Sequence, residues 1–495
     1  MNLCGLDVGT TGVKAIVFDE TGTQKSASYR AYDIGVAQDG TRLLKGIEIW
    51  AKVKEALTEA AAKSGGRLDA ICPDSFGEAF VVMDKDDQII CDPMLYTDRW
   101  GEDEYFEAEK KTNALEIAEI CGLPLSPTYS LSKVLYLKQR RPEIYENAHR
   151  ILLIEDFINY MLCGRAAVDY SVACRTMFFD VRECEWSDKL IDKFGLDKQH
   201  YSEPVPTGSI IGDLSAAVAA ETGIGGSCKI IAGGHDQPVN MIGAGLRPGY
   251  VVDSMGTTES LTPLMDSLMS PQTIVDNHLP AEPVWQKGRY CSMAYNPTSG
   301  LLVQWFFKTF SDTPEPPYAL FEKNFPQKPT KIMVQPYLMG SGTPYFDHSA
   351  RLAFTGIDYG VTRYDLYRAT LEGLAMDQRL NIGIMKGLGL DVNGLTCVGG
   401  GSKSKPWLKV KADILQIPMN TITVGEAGAL GCAMIAAYAT GVYSSIEEAA
   451  QTMSHIKDTV EPDPTYAEFY SEKFELYREL NAHVKQESRF ALKEI

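Results

Sequence analysis

The chain has 495 residues, 45% hydrophobic and 23% charged, which supplies enough apolar surface for sizeable cores and excludes global disorder. Lys and Arg number 47 against 65 Asp and Glu, a net charge of −18 that repels nucleic acid and anionic membrane, so neither is an expected partner. The same excess repels phosphorylated ligands, so a nucleotide has to be held by local donors, backbone amides or a metal ion.

Apolar runs at residues 3–6 and 13–18 flank Asp7-Val8-Gly9-Thr10-Thr11-Gly12, which reads as strand, glycine-containing turn, strand. Residues 48–64 have helical apolar spacing and stop at Gly65-Gly66, while 68–72 and 80–83 read as strands. Another apolar strand, 230–232, runs into Gly233-Gly234-His235-Asp236. Residues 250–264 then repeat the opening plan around Gly256-Thr257-Thr258, 247 positions after Gly9-Thr10-Thr11. Recurrence at half the chain length inside the same pattern predicts a duplicated domain, with Arg247-Pro248-Gly249 at the junction of residues 1–247 and 248–495.

The proline-rich stretches 272–286 and 311–328 read as irregular connections remote from function. Beyond them come a long helix at 364–386, a strand at 395–398 ending in Gly399-Gly400-Gly401, and a helix at 405–415. Residues 427–446 are uncharged and long enough to span a bilayer, but their glycines and serines point to a buried helix ending near Gly441. An exposed amphipathic helix is expected at 466–492. Strands alternate with helices throughout, so the fold class is α/β.

The residues between Asp7 and Lys14 gather what a phosphate clamp requires: close backbone approach at Gly9 and Gly12, hydroxyls on Thr10 and Thr11, and positive charge on Lys14. A plain hairpin turn is the alternative. Asp7 has the chemistry to hold magnesium through water. Aligning the two threonine pairs puts Ser254 where Asp7 stands, so the first copy alone brings the carboxylate. Asp236, at a strand end opening a helix, is the candidate general base, with helix capping as its alternative. His235 is left unassigned. Gly399, Gly400, Gly401 and Ser402 let a flat ring or a ribose lie against backbone, and neither a Walker sequence nor an intact G-x-G-x-x-G is present.

In order and spacing, Leu6 to Lys14, Gly233 to Asp236, Ser254 to Thr258, Gly399 to Ser402 and Glu426 to Gly431 resemble the FGGY carbohydrate kinases over residues 3–441. That resemblance implies two ribonuclease-H-like domains of the actin, hexokinase and Hsp70 superfamily, closing on ATP, Mg²⁺ and a small sugar, polyol or sugar acid. It makes Asp236 the catalytic aspartate and second metal-facing carboxylate beside Asp7. It makes Gly9, Thr10, Thr11 and Lys14, with Gly256, Thr257 and Thr258, the phosphate loops, and residues 399–402 the adenosine loop. Gly243-Ala244-Gly245 and residues 429–433 match two helices that pack closely at a hinge.

On the sugar side the resemblance points to Trp50, Phe76, Glu78, Asp98 and Arg99, the last two within Tyr96-Thr97-Asp98-Arg99. Packing of Trp50 and Phe76, and surface pairing of Asp98 with Arg99, are the alternatives. Phe76-Gly77-Glu78 departs from the Gln-Met-His-Gly of xylulose kinases, and His235 replaces a glycine or serine, which speaks against xylulose. Residues 339–344 match the family's second signature only loosely.

The expected reaction is in-line phosphoryl transfer with Asp236 orienting a hydroxyl. Rival readings on the same fold are an actin- or Hsp70-like ATPase and a sugar-binding regulator without turnover. The 11 cysteines hold no C-x-x-C pair and the N-terminus lacks a basic segment, so a cytoplasmic protein is expected, with a homodimer as the default assembly.

Overall fold

A computed structural model describes residues 1–36, 42–95, 98–313 and 316–488. Its organising unit is the opening hairpin, β1 (Leu3–Val8) and β2 (Gly12–Phe18), whose antiparallel register sets Asp7 opposite Lys14. β3 (Gln24–Ala31) extends it antiparallel. Helix α1 (Gly46–Lys63) leads into β4 (Ala70–Ser75), which lies parallel to β1 and is buried at every position. Strand β4 runs to Ser75 rather than stopping at residue 72, because Asp74 and Ser75 still pair with Asp7 and Val8. The expected strand at Phe80–Met83 forms in a smaller sheet.

Later elements complete the first sheet: the short helix α2 (Tyr170–Cys174), β5 (Ile210–Asp213), β6 (Lys229–Ile231), β7 (Gly234–His235) and α3 (Asp236–Gly243). The strand order is β5-β6-β4-β1-β2-β3, with β7 also paired to β4. β4, β6 and β1 run parallel, and the edges are antiparallel.

The second half supplies β8 (Tyr250–Met255), β9 (Glu259–Thr262), α4 (Pro271–Asn277), β10 (Ala281–Pro283) and β11 (Ala294–Asn296). It continues with α5 (Arg363–Gly387), β12 (Gly394–Val398), α6 (Lys405–Leu415), β13 (Met419–Ile422), α7 (Ala427–Ala439), β14 (Ile456–Val460) and α8 (Ala467–Ser488). Its sheet has the order β11-β9-β8-β12-β13-β14. A hairpin with a third antiparallel strand on one side, two parallel strands on the other and an antiparallel edge beyond them describes both sheets. The recurrence of Gly-Thr-Thr thus marks a repeated strand plan.

The halves are not packed as separate bodies. Leu6, Val8 and Val13 bury against α1 on one face of the first sheet, while Leu3, Ile16 and Phe18 bury on the other against α7, a helix of the second half. Met241 of α3 packs with Val252 of β8 and Val398 of β12, so α3 and α7 lie between the sheets. Their close crossing depends on missing side chains: a Cβ on Gly243 would overlap the Ala427 carbonyl, and one on Gly431 the Val239 carbonyl.

Two sequence expectations are overturned. Residues 272–286 contain α4 and β10, because Ser270 caps α4 and Pro271 takes its first position, where a missing N–H costs nothing. Residues 311–328 contain the helix Tyr318–Lys323. The C-terminal helix forms, yet Tyr470 and Tyr477 are fully buried, so α8 docks on the second lobe instead of standing exposed.

Candidate active site

Parallel strands that begin together end together, so residues at their carboxyl ends share a crevice. In the first sheet the ends of β1, β4 and β7 are aligned: Asp7 pairs in register with Asp74, and Asp74 with Gly234. Two residues on, Asp236 opens α3, its chain turned by Gly234 at φ 154°. The side chains of Asp7 and Asp236 keep 26% and 34% of their surface open, enough to meet a ligand.

Three carboxylates therefore crowd one edge. Burial pushes the Asp7 carboxyl up to about 6, with Lys14 opposing and Asp236 and Glu426 reinforcing the rise. Asp236 is raised by burial, against the nearby His235. Asp74 is fully buried, neither of its oxygens has a hydrogen-bond partner, and burial with Asp7 and Asp236 alongside raises its carboxyl well above the ordinary range. Lys14 answers this charge at one place, with Nζ 3.6 Å from Asp7 and 2.5 Å from Glu426 just before α7. Next to Glu426 and Ala427, Gly428 faces Asp74: a Cβ there would stand 2.9 Å from Asp74 Oδ2.

The opposite wall comes from the second sheet. The Gly256 turn is closed by the Gly256 N–H donating to the Thr258 carbonyl at 2.9 Å, as the Gly9 N–H donates to the Gly12 carbonyl at 3.0 Å. Gly399, at φ 83°, lies against the Met255 backbone, so the loop after β12 abuts the Gly256 turn. A Cβ on Gly400 would meet nothing within 4 Å, which leaves open space over that loop. The Ser260 hydroxyl donates to Gln237 Oε1 at 2.7 Å, tying β9 to the residue after Asp236. Asp7 and Asp236 thus stand close enough to act on each other's charge at one sheet edge, and the strand after the Gly256 turn bonds the residue that follows Asp236.

On its other side Asp236 adjoins a buried charged chain. His235 Nε2 lies 3.3 Å from Asp236 Oδ1 and Nδ1 lies 2.9 Å from Glu282 Oε2. Glu282 Oε1 accepts from Arg175 Nη1 at 2.6 Å, and Arg175 Nε donates to Glu78 Oε1 at 2.7 Å. Arg175 also lies over the Tyr129 ring, 4.9 Å from its centroid. Burial lowers the His235 pKa, but Glu282 and Asp236 outweigh it and the net direction is up.

Of the expected sugar-side residues, Glu78 is brought to this chain, at φ 66° and with Oε1 engaged by Arg175. Trp50 and Phe76 are not presented as free rings: both belong to the core beneath the first sheet, with Lys54 over Trp50. Asp98 and Arg99 do not pair with each other. Arg99 is exposed and bonds Glu102 at 2.8 Å, whereas Asp98 is close enough to Lys133 to act on its charge. Tyr96 and Thr97 lie outside the described residues. Asp74, Arg175, Glu282 and Glu426 were missed as site residues by sequence reasoning. Glu426 was within reach, standing at the head of a small-residue helix; Asp74 became recognisable only through strand register.

Among the described residues no group of three or more His, Cys, Asp or Glu side chains is arranged to hold a metal ion. The donor set still suits magnesium, which takes one or two carboxylates and completes its shell with water and phosphate oxygens. Asp7 and Asp236 are the partly open carboxylates, and the unpartnered oxygens of Asp74 sit beside them.

A two-lobed phosphotransferase is the class that this crevice and its pair of turns define. A model of the FGGY family of carbohydrate kinases, N-terminal domain, matches residues 2–243, and one of the C-terminal domain matches residues 254–440. The chain belongs to the FGGY family of carbohydrate kinases. It is similar to a xylulose kinase of Bacillus subtilis, 25% identical over 97% of both chains. Its fold matches the crystal structures of a xylulose kinase from Rhodospirillum rubrum (TM-score 0.90, 22% identity, 99% of this chain and 100% of that one) and a glycerol kinase from Plasmodium falciparum solved with ADP (TM-score 0.86, 19% identity, 100% and 99%).

Proposed function

We propose that the protein transfers the γ-phosphate of ATP to a hydroxyl of a neutral sugar or polyol, with Asp236 as general base. The observation that supports this reading is that Asp7 and Asp236 stand near each other at one sheet edge, while Ser260, just after the Gly256 turn, bonds Gln237 beside Asp236. Asp236 orients the acceptor hydroxyl and takes its proton as the bond to phosphorus forms. Backbone amides of Thr10, Thr11, Thr257 and Thr258, in turns that the Gly9 and Gly256 N–H groups close, hold the phosphates with Lys14, and Gly399 to Ser402 accept the adenosine. Asp7 and Asp236 would hold Mg²⁺, which would supply positive charge to the transferring phosphate.

A neutral acceptor is favoured by the charges already spoken for. Arg175 is taken by two carboxylates, and Lys133 Nζ donates to the Thr128 carbonyl at 2.7 Å. The Arg175 charge is thus paired on both sides, and a sugar carboxylate entering this side would meet Glu78, Asp98 and Asp236. All 11 cysteines are free thiols, in keeping with a reducing cytoplasm.

A coupled ADP-release assay over ketoses, polyols and sugar acids tests the proposal. A signal dependent on a neutral acceptor is expected; ATP hydrolysis indifferent to every acceptor would defeat it. Asp236→Asn should retain ATP binding by calorimetry and lower turnover roughly 10²- to 10⁴-fold. Near wild-type turnover in that variant would remove Asp236 from its role.

A further inference from the structure

We propose that Ser299 and Glu259 are positioning residues for the second phosphate turn: they seat the helix Gly300–Phe310 on the turn's carbonyls and so aim the Thr257 and Thr258 amides at the nucleotide. The proposal rests on the reading of Gly256 to Thr258 as a phosphate turn.

A phosphate is held by N–H groups and repelled by carbonyl oxygens, so a turn that binds one has to face its peptides in a particular direction. In a trans peptide the C=O and the N–H that follows it point opposite ways. Holding the carbonyl therefore aims the amide. The Gly256 carbonyl accepts from the Gly300 N–H at 3.0 Å, and the Thr257 carbonyl accepts from the Ser299 N–H at 3.2 Å and the Leu301 N–H at 3.1 Å. Both carbonyls thus lie toward the start of the helix, and the Thr257 and Thr258 N–H groups point away from it. Among the described residues neither of these two N–H groups donates to a backbone carbonyl. The donors on the helix side are those that a first turn leaves without intrahelical partners, so the helix gives up nothing to supply them. Gly300 permits the approach: a Cβ there would stand 2.5 Å from the Gly256 carbonyl oxygen.

Glu259 fixes where the helix begins. Ser299 occupies the N-cap position, where a serine side chain ordinarily accepts from helix amides, yet it makes no such bond. Its hydroxyl donates instead to Glu259 Oε2 at 2.7 Å. Glu259 opens β9 directly after Thr258, and its Oε1 is held by Lys411 of α6. Lys411 also holds Asp253 of β8, so one ammonium ties both strands that carry the turn. Ser299 and Lys411 are fully buried and Glu259 is 1% exposed. A buried ion set is often no more stabilising than apolar residues of the same volume, and what it offers here is a fixed direction beneath the turn.

Ser299→Ala removes the hydroxyl and leaves the helix its own hydrogen bonds. It should weaken ATP binding at least roughly fivefold by calorimetry, part of what a hydrogen bond to a charged group is worth, while adenosine, which carries no phosphate, binds within about twofold of wild type. KM for the acceptor should not move. Glu259→Met keeps most of the volume and leaves Lys411 paired with Asp253, so the core stays balanced in charge. It should separate ATP from adenosine in the same way, and it serves as the second probe if Ser299→Ala does not fold.

Equal losses for ATP and adenosine would show that Ser299 and Glu259 only brace the lobe and would overturn the proposal, as would undiminished ATP affinity in the variants. A wild type that binds ATP no more tightly than adenosine would instead bring down the phosphate reading of the turn, and the positioning role with it.

Discussion

Asp74 shows buried charge set against the stability of the fold. Its oxygens have no hydrogen-bond partner, and Asp7 and Asp236 repel any charge it carries. Asn has the same shape without the ionisable group, so Asp74→Asn should raise the melting temperature of the ligand-free protein at pH 8, where the unfolded chain releases a proton that the buried carboxyl resists losing, and raise it less at pH 5. It should lower turnover at the same time, because an acid kept at such cost beside a site is retained for what it does with ligand bound. Thermal melts and initial rates on one preparation check both; a lower melting temperature would refute the strain argument. At this scale Asp7 and Asp236 could be read from sequence because glycines flank them and mark a turn at a strand end. Asp74 could not, since it sits in an apolar strand whose partner register is invisible along the chain. Glu282 was hidden by neighbouring prolines that made its strand look irregular.

Helices α3 and α7 are legible as elements, and their small residues announce close packing. What the sequence withholds is the partner: α7 is apolar on every side, which says that it is buried but not that it covers the first sheet. The crossing predicts a sharp penalty. Gly431→Val would drive a side chain into the Val239 carbonyl and the Gly243 backbone, so a loss of about 3 kcal/mol or more is expected in urea unfolding, at the upper end of overpacking costs. Gly400 offers the opposite case. Its position opens on empty space, so Gly400→Leu should leave stability within about 0.5 kcal/mol, as surface changes usually do, while filling the room assigned to adenosine. ATP titration should then show weakened binding with acceptor affinity intact. Unchanged ATP affinity would discredit the adenosine role of this loop.

Across the whole molecule the Gly-Thr-Thr spacing foretells the repeated sheet, but it says nothing of the buried charges by which each lobe responds to pH. In the second lobe Asp377 lies in the middle of α5, accepting from Asn296 at 2.8 Å, Tyr337 at 3.0 Å and Tyr477 at 3.1 Å. Burial outweighs the tyrosines and pushes its carboxyl up to about 7 from 3.8. Between those values the folded chain keeps a proton that the unfolded chain releases, so the contribution to stability is full below pH 4 and is lost as pH rises towards 7. Three pH units correspond to about 4 kcal/mol at most, since each unit is worth about 1.4. Asp169 in the first lobe, raised by burial to about 6, acts in the same direction. Urea unfolding at pH 5 and pH 8 should therefore show the wild type losing stability at the higher value. Asp377→Asn has no proton to release and should lose measurably less over the same interval, whatever its stability at either end. An identical pH slope in the two proteins would place the titrating group elsewhere.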